Sequence, residues 1–100
     1  MNIFIFFLFT FFIMKIVWSR HSRIRFFERS LIYGINFGEA EQNILRQKVK
    51  QKQKDGTIKT IFKALDYFFT VIKEETKKQI NVVSIWESNE REVLLWKKKN

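Results

Sequence analysis

The sequence predicts a mainly α-helical, membrane-anchored protein: an N-terminal transmembrane helix followed by a small helical domain that can end in a β-hairpin. Two observations carry this prediction. Residues 3–14 are apolar apart from one threonine, and apolar side chains between residues 57 and 79 recur at steps of three and four. We divide the chain into a transmembrane helix (1–18), a basic juxtamembrane segment with a glycine hinge (19–38) and a small basic domain (39–100).

The N-terminal segment has the length and composition of a short membrane span. Eighteen residues of helix extend about 27 Å, close to the roughly 30 Å thickness of the hydrocarbon layer. Lys15 lies near the end, where its ammonium group can reach the headgroups, and Trp18 suits the aromatic belt at the interface. Three alternatives stay open: a cleavable signal peptide, a buried core helix or strand, and a re-entrant or interfacial segment.

The charges that flank this segment predict its orientation. No charged side chain precedes Lys15, and the arginines that follow it are opposed by a single acid, Glu28. The positive-inside rule then places the N-terminus outside and the C-terminal domain in the cytoplasm or in an organelle matrix or stroma. The predicted membrane-interface residues are Lys15, Trp18, Arg20, Arg23, Arg25 and Arg29.

The middle of the chain predicts two helices separated by a turn. Residues 24–33 contain no glycine or proline and extend the first helix, and the pair Gly34 and Gly38 marks a turn or hinge. Residues 39–54 favour a second helix, because acids lie at its start and lysines at its end. The alternative is a β-hairpin with Asp55-Gly56 at the turn and residues 57–62 as the return strand.

The last part of the chain predicts an amphipathic helix and then a hairpin. The helix covers residues 57–79 and presents an apolar stripe for docking to a partner, composed of Ile58, Ile61, Phe62, Leu65, Phe68 and Ile72. Two apolar runs follow, at residues 80–86 and 91–96, and the β-branched first run favours a strand. The alternative for the second run is a helix over residues 89–98.

The sequence offers few candidates for catalytic residues. The chain has no cysteine, so neither a disulfide nor a thiolate metal site is available. Its single histidine, His21, lies among arginines, and no carboxylate pair or serine has a recognisable catalytic partner. We therefore predict a protein that is not an enzyme and that has no cofactor and no metal.

Composition and charge predict two functions. Phe, Ile, Lys and Asn make up 44 of the 100 residues, which indicates an AT-rich genome such as that of an organelle. The first prediction is a non-catalytic accessory or anchoring subunit of a membrane complex, whose partners are the lipid bilayer and a membrane protein. The alternative is an RNA-binding or ribosome-associated protein, because the net charge is +9 and a dense basic run can neutralise phosphates. The predicted phosphate-binding residues are Lys48, Lys50, Lys52 and Lys54.

Overall fold

A computed structural model describes residues 15–47 and 49–99, which contain five strands and three helices. In chain order they are β1 (Lys15–Trp18), α1 (Arg20–Tyr33), α2 (Phe37–Leu45), β2 (Val49–Lys52), β3 (Ile58–Ala64), β4 (Tyr67–Glu75), β5 (Gln79–Glu87) and α3 (Glu90–Lys98). The strands form one mixed sheet in the order β1-β5-β4-β3-β2. Strand β1 pairs with β5 in parallel, and the other pairs are antiparallel. The fold is α+β, so the predicted mainly α-helical class is wrong.

The predicted transmembrane anchor is also wrong. Residues 1–14 lie outside the described residues, but the end of the predicted span, Lys15–Trp18, forms strand β1 on the edge of the sheet. β-Branched Ile16 and Val17 favour that strand, which pairs with Gln79–Val82. Among the helices of residues 15–47 and 49–99, none combines the length and the apolar character that crossing a bilayer requires. The predicted single-pass location, with its N-terminus outside, depended on that span and is overturned with it.

Each helix begins at a residue whose side chain caps it. Ser19 accepts a hydrogen bond from the backbone of Ser22 at the start of α1, and Asn36 begins α2 in the same way. Helix α1 ends at Gly34, whose φ of 71° is the left-handed conformation that glycine adopts most readily. The predicted helix over residues 24–33 and the turn at Gly34 agree with this arrangement.

The predicted second helix is too long. Helix α2 ends at Leu45, and Val49–Lys52 form β2, the first strand of a hairpin with β3. Gly56 adopts a φ of 90° in the turn between them. The alternative, a hairpin with Asp55-Gly56 at its turn, therefore describes this part of the chain.

The predicted amphipathic helix over residues 57–79 is replaced by the β3–β4 hairpin. Adjacent residues Ile61 and Phe62 point to opposite faces of the sheet, and both are buried. The reason is that both faces are covered: α1 and α2 lie on one face and α3 on the other. When both faces of a strand are buried, its sequence no longer alternates between apolar and polar residues. The apolar residues can then fall at the three- and four-residue spacing that is typical of a helix.

The C-terminal region combines one predicted strand with the alternative helix. Strand β5 covers the β-branched run as expected, but α3 replaces the second strand of the predicted hairpin. Helix α3 starts with a capping box, in which the side chain of Asn89 accepts from the backbone of Glu92 and the side chain of Glu92 accepts from the backbone of Asn89. This motif is readable in the sequence, and it sets the start of the helix.

The main core lies between the sheet and helices α1 and α2. Phe26 of α1 contacts Phe69 of β4 with ring centroids 5.7 Å apart, and Ala40 and Ile44 bring α2 onto the same layer. Trp18 packs on Phe26 and Phe37 in this core, and its indole nitrogen donates to Glu41 at 2.8 Å. Trp18 is thus an internal packing residue in this fold.

Candidate nucleic-acid interface

A basic cleft lies on the face of the sheet that α3 covers. It has a volume of about 380 Å³ and separates α3 from strands β2 and β3. We call it the α3 cleft; its lining residues are Gln51, Lys59, Arg91, Glu92, Leu94, Leu95 and Lys98. The lining includes three cations and one acid, so the cleft carries a net positive charge.

Glu92 is the residue that organises this cleft. Its Oε1 accepts from the backbone N–H of Asn89 at 2.9 Å and from the indole nitrogen of Trp86 at 3.1 Å. Its Oε2 pairs with Lys59 Nζ at 2.9 Å. Although the residue is only 5% exposed, its polar atoms are well supplied with partners. Glu92 thereby joins α3 to strands β3 and β5.

Glu92 stays ionised at neutral pH. Burial alone would raise the pKa of its carboxyl, but the backbone of Asn89, the ammonium of Lys59 and the indole of Trp86 stabilise the charged form. Together they hold the pKa of Glu92 below its usual value. The acid therefore neutralises Lys59, and Arg91 and Lys98 are the lining cations of the cleft that form no ion pair with any described residue.

An aromatic surface lies beside the cleft. The side chain of Trp86 is 38% exposed on the same face of the sheet, and Lys59 Nζ lies 6.0 Å from the centroid of its ring. The bond from the indole nitrogen to Glu92 fixes the orientation of the ring. An exposed aromatic ring of fixed orientation beside basic side chains can stack on an unpaired base.

The predicted phosphate-binding lysines lie on the neighbouring edge of the sheet, with different surroundings. Lys48 lies outside the described residues. Lys50 is engaged, because its Nζ contacts Glu75 Oε1 at 3.0 Å. Lys52 and Lys54, at the end of β2 and in its turn, are exposed and form no ion pair with any described residue. Lysines on an edge strand also prevent edge-to-edge association, so their position alone does not show a binding site.

Four cations without an ionic partner in the described part of the chain thus border the α3 cleft or the edge strand next to it. They are Lys52, Lys54, Arg91 and Lys98. The phosphate-binding residues predicted from the sequence include Lys52 and Lys54. They do not include Arg91 and Lys98, and the sequence does not predict the contacts of Glu92. The capping-box spacing from Asn89 to Glu92 was the available signal for α3.

A buried lysine lies on the opposite face of the sheet, between strand β4 and the end of α2. Lys73 is 1% exposed, and its Nζ bonds to the carbonyl of Ile44 at 3.4 Å, to the side chain of Gln47 and to Glu75 at 2.9 Å. Burial lowers the pKa of Lys73, and the bond to Glu75 opposes this shift. The ammonium binds the end of α2, where carbonyl groups lack helical partners. Its position is therefore explained by the packing of α2 on β4.

The other predicted residues are dispersed in the fold. Lys15 begins β1, and Arg20, Arg23, Arg25 and Arg29 lie along α1, all but Arg29 well exposed. The predicted docking stripe falls on β3, β4 and their turn, where Ile61 and Phe62 are buried, Ile58, Phe68 and Ile72 are half-buried, and Leu65 is exposed. These six side chains therefore form no common exposed face.

Comparisons with known proteins do not identify the chain. No protein family, curated protein or solved structure matches it. Within residues 15–47 and 49–99 there is also no cluster of three or more His, Asp and Glu side chains that could hold a metal ion.

Proposed function

We propose that the protein binds single-stranded RNA at the α3 cleft and along the adjacent edge of the sheet. The observation that carries this proposal is a set of four cations without ionic partners among the described residues: Arg91 and Lys98 line a cleft whose acid is already neutralised, and Lys52 and Lys54 lie on the adjacent edge strand and its turn. Phosphate contacts of this kind supply most of the affinity in binding that does not depend on sequence.

One further feature favours a single strand, and another favours RNA. Trp86 offers an exposed ring to an unstacked base, which a duplex would keep within its own stack. Gln51 lines the cleft with an amide that can both donate to and accept from a ribose 2′-hydroxyl. The second feature favours RNA over single-stranded DNA.

The salt dependence of binding tests this proposal. Four phosphate contacts predict a slope of about −2.8 in a plot of log K against log salt concentration for a single strand, which is about fifty-fold weaker binding at 200 mM than at 50 mM salt. Fluorescence anisotropy with a labelled oligomer of about twelve uridines measures this slope. A deoxyuridine oligomer of equal length should bind more weakly.

The double variant Arg91→Gln/Lys98→Gln locates the site. It should reduce the slope by about 1.4, because two of the four contacts are lost. The matched control is Arg20→Gln/Arg23→Gln, which removes the same charge from α1 on the other face of the sheet and should leave the slope almost unchanged. An equal loss in both variants would show that RNA responds only to net charge. Absence of binding at low salt would refute the proposal outright.

A further inference from the structure

Helix α1 exposes an apolar stripe on the side that faces away from the core. Ile24, Phe27 and Leu31 are 51%, 54% and 71% exposed, and their spacing of three and four residues places them on one face. The core side of the same helix is formed by Ser22 and Phe26, which are fully buried. A helix with apolar residues on both sides indicates that a second partner covers the outer one.

Part of this stripe forms one wall of a groove. The groove lies between α1 and the first residue of α2, Phe37, and has a volume of about 560 Å³. We call it the α1 groove; its lining residues are Arg20, Arg23, Ile24, Phe27, Glu28 and Phe37. A concave site of this size, mostly apolar with a few charged groups at its rim, accommodates several side chains of a docked segment.

The rim of the α1 groove is basic. Arg20 and Arg23 are exposed and form no ion pair within the described ranges. Glu28 is the single acid of the lining. The complementary ligand therefore has apolar side chains for Ile24 and Phe27, and acidic side chains for the two arginines.

We propose that the α1 groove docks an amphipathic helix of another protein, with acidic residues on the flank of its apolar face. Recognition of this type uses apolar anchors at helical spacing, and charge complementarity sets the orientation of the helix. The partner is thus an acidic protein segment that pairs with Arg20 and Arg23 while it covers Phe27.

Other occupants fit the groove less well. A second copy of the chain would bring together two grooves that each have Arg20 and Arg23 at the rim and a single acid, in a protein with a net charge of +9. The apolar segment at residues 3–14 has no acidic side chain to offer the arginines. A lipid surface is flat, whereas this site is a groove between α1 and Phe37 that is lined on more than one side.

Peptide binding to the full chain tests the proposal. The probe is a fluorescein-labelled helical peptide of about sixteen residues, with leucines at i, i+3, i+4 and i+7 and glutamates on the flanks. One control peptide carries lysine in place of each glutamate, and another has the same composition in scrambled order. We expect the acidic amphipathic peptide to bind at least about ten-fold more tightly than either control.

Two single variants on α1 locate the binding surface. Phe27→Ala should weaken peptide binding at least about ten-fold, because it removes an apolar wall of the groove. Ile32→Ala is the matched control: Ile32 is also an exposed apolar residue of α1, at 66%, but it does not line the groove, so its effect should be under about two-fold. Circular dichroism checks that both variants keep the fold. Arg20→Gln/Arg23→Gln should abolish the preference for the acidic peptide.

Four results would overturn the proposal. Equal binding of the scrambled peptide would show that its arrangement is not recognised, and equal losses in Phe27→Ala and Ile32→Ala would show that the groove is not the site. Binding to phosphatidylglycerol vesicles that requires Phe27, with no peptide binding, would assign the groove to lipid. Self-association that Phe27→Ala abolishes, with no peptide binding, would assign it to a second copy.

Discussion

Replacing Glu92 by glutamine separates the structural role of the α3 cleft from its proposed binding role. Glutamine keeps the volume of the side chain and can keep the Oε1 acceptor that faces Asn89 and Trp86. The change places an amide –NH₂ where Oε2 faced Lys59 Nζ, so two donors then oppose each other. The charge-assisted bond is lost, and the ammonium of Lys59 is left without its anion.

The magnitude follows from the type of bond and its burial. A hydrogen bond to a charged group contributes about 1.5–3 kcal/mol, and the 5% exposure of Glu92 leaves little water to replace it. We therefore expect the free energy of unfolding to fall by about 2 kcal/mol. In a domain of this size that corresponds to a Tm lower by about 8–16 °C.

The same substitution should increase affinity for RNA. Without Glu92, the charge of Lys59 becomes available to a phosphate in the α3 cleft. One additional contact makes the slope of log K against log salt steeper by about 0.7. Loss of stability together with stronger salt-dependent binding is an outcome that general damage to the fold would not produce.

Thermal unfolding and anisotropy titrations measure the two effects, with Glu90→Gln as the matched control. Glu90 lies in the first turn of the same helix but is exposed and has no ion pair with any described residue. Its replacement removes the same charge and should cost less than about 1 kcal/mol through the helix dipole. Equal Tm changes in the two variants would refute the role assigned to Glu92. An unchanged slope in Glu92→Gln would show that Lys59 does not face the RNA.

The pH dependence of stability gives a second measure of Glu92. Burial opposes ionisation, but the hydrogen bonds from Asn89, Lys59 and Trp86 outweigh it, so the folded pKa lies below the ordinary value of 4.5. The unfolded chain then binds the proton more tightly than the folded protein does. The resulting stability is present above pH 4.5 and is lost as the pH falls through the folded pKa. The difference in unfolding free energy between the wild type and Glu92→Gln should shrink in acid.

Three further predictions concern the rest of the fold. Gly34→Ala should lower the free energy of unfolding by about 1–2 kcal/mol in chemical denaturation, because the left-handed φ of 71° strains any Cβ, although no atom of the described residues lies within 4 Å of that position. Burial lowers the pKa of Lys73, so wild-type stability relative to Lys73→Met should rise as the pH increases toward 10.5; a constant difference would contradict this. The hydrogen bond to Glu87 raises the pKa of Tyr33 above 10.0, and Glu87→Gln should lower it in an ultraviolet absorbance titration.

The sequence predicts those elements whose signals are local. Helix α1 and its end at Gly34 follow from uninterrupted helical residues and a glycine stop. Strand β5 follows from its β-branched residues, and Asp55-Gly56 predicts the turn of the hairpin that is the alternative to a second helix. In each of these cases neighbours in the chain determine the backbone conformation.

The predictions from the sequence are wrong where contacts between distant parts of the chain determine the secondary structure. The spacing between Ile58 and Ile72 looked helical because residues on both faces of β3 and β4 are buried, which cannot be known without the layers on either side. The predicted span included Ile16 and Val17, whose partners in β5 are more than sixty residues away along the chain. The α3 cleft depends on the ion pair between Lys59 and Glu92. No local pattern in the sequence predicts this contact.

The two proposed surfaces use the high positive charge of the chain in different ways. At the α3 cleft, cations act with one exposed ring, so salt should control affinity strongly. At the α1 groove, apolar burial provides the attraction and Arg20 and Arg23 select the partner, so salt should reduce selectivity more than affinity. Helices α1 and α3 pack on opposite faces of the sheet, and packed layers lie about 10 Å apart, so the two surfaces are about 20 Å apart, twice the screening length of about 10 Å at 0.1 M salt. An acidic partner on α1 can therefore remain bound while the opposite face engages RNA, because the charges on one face scarcely act on the other.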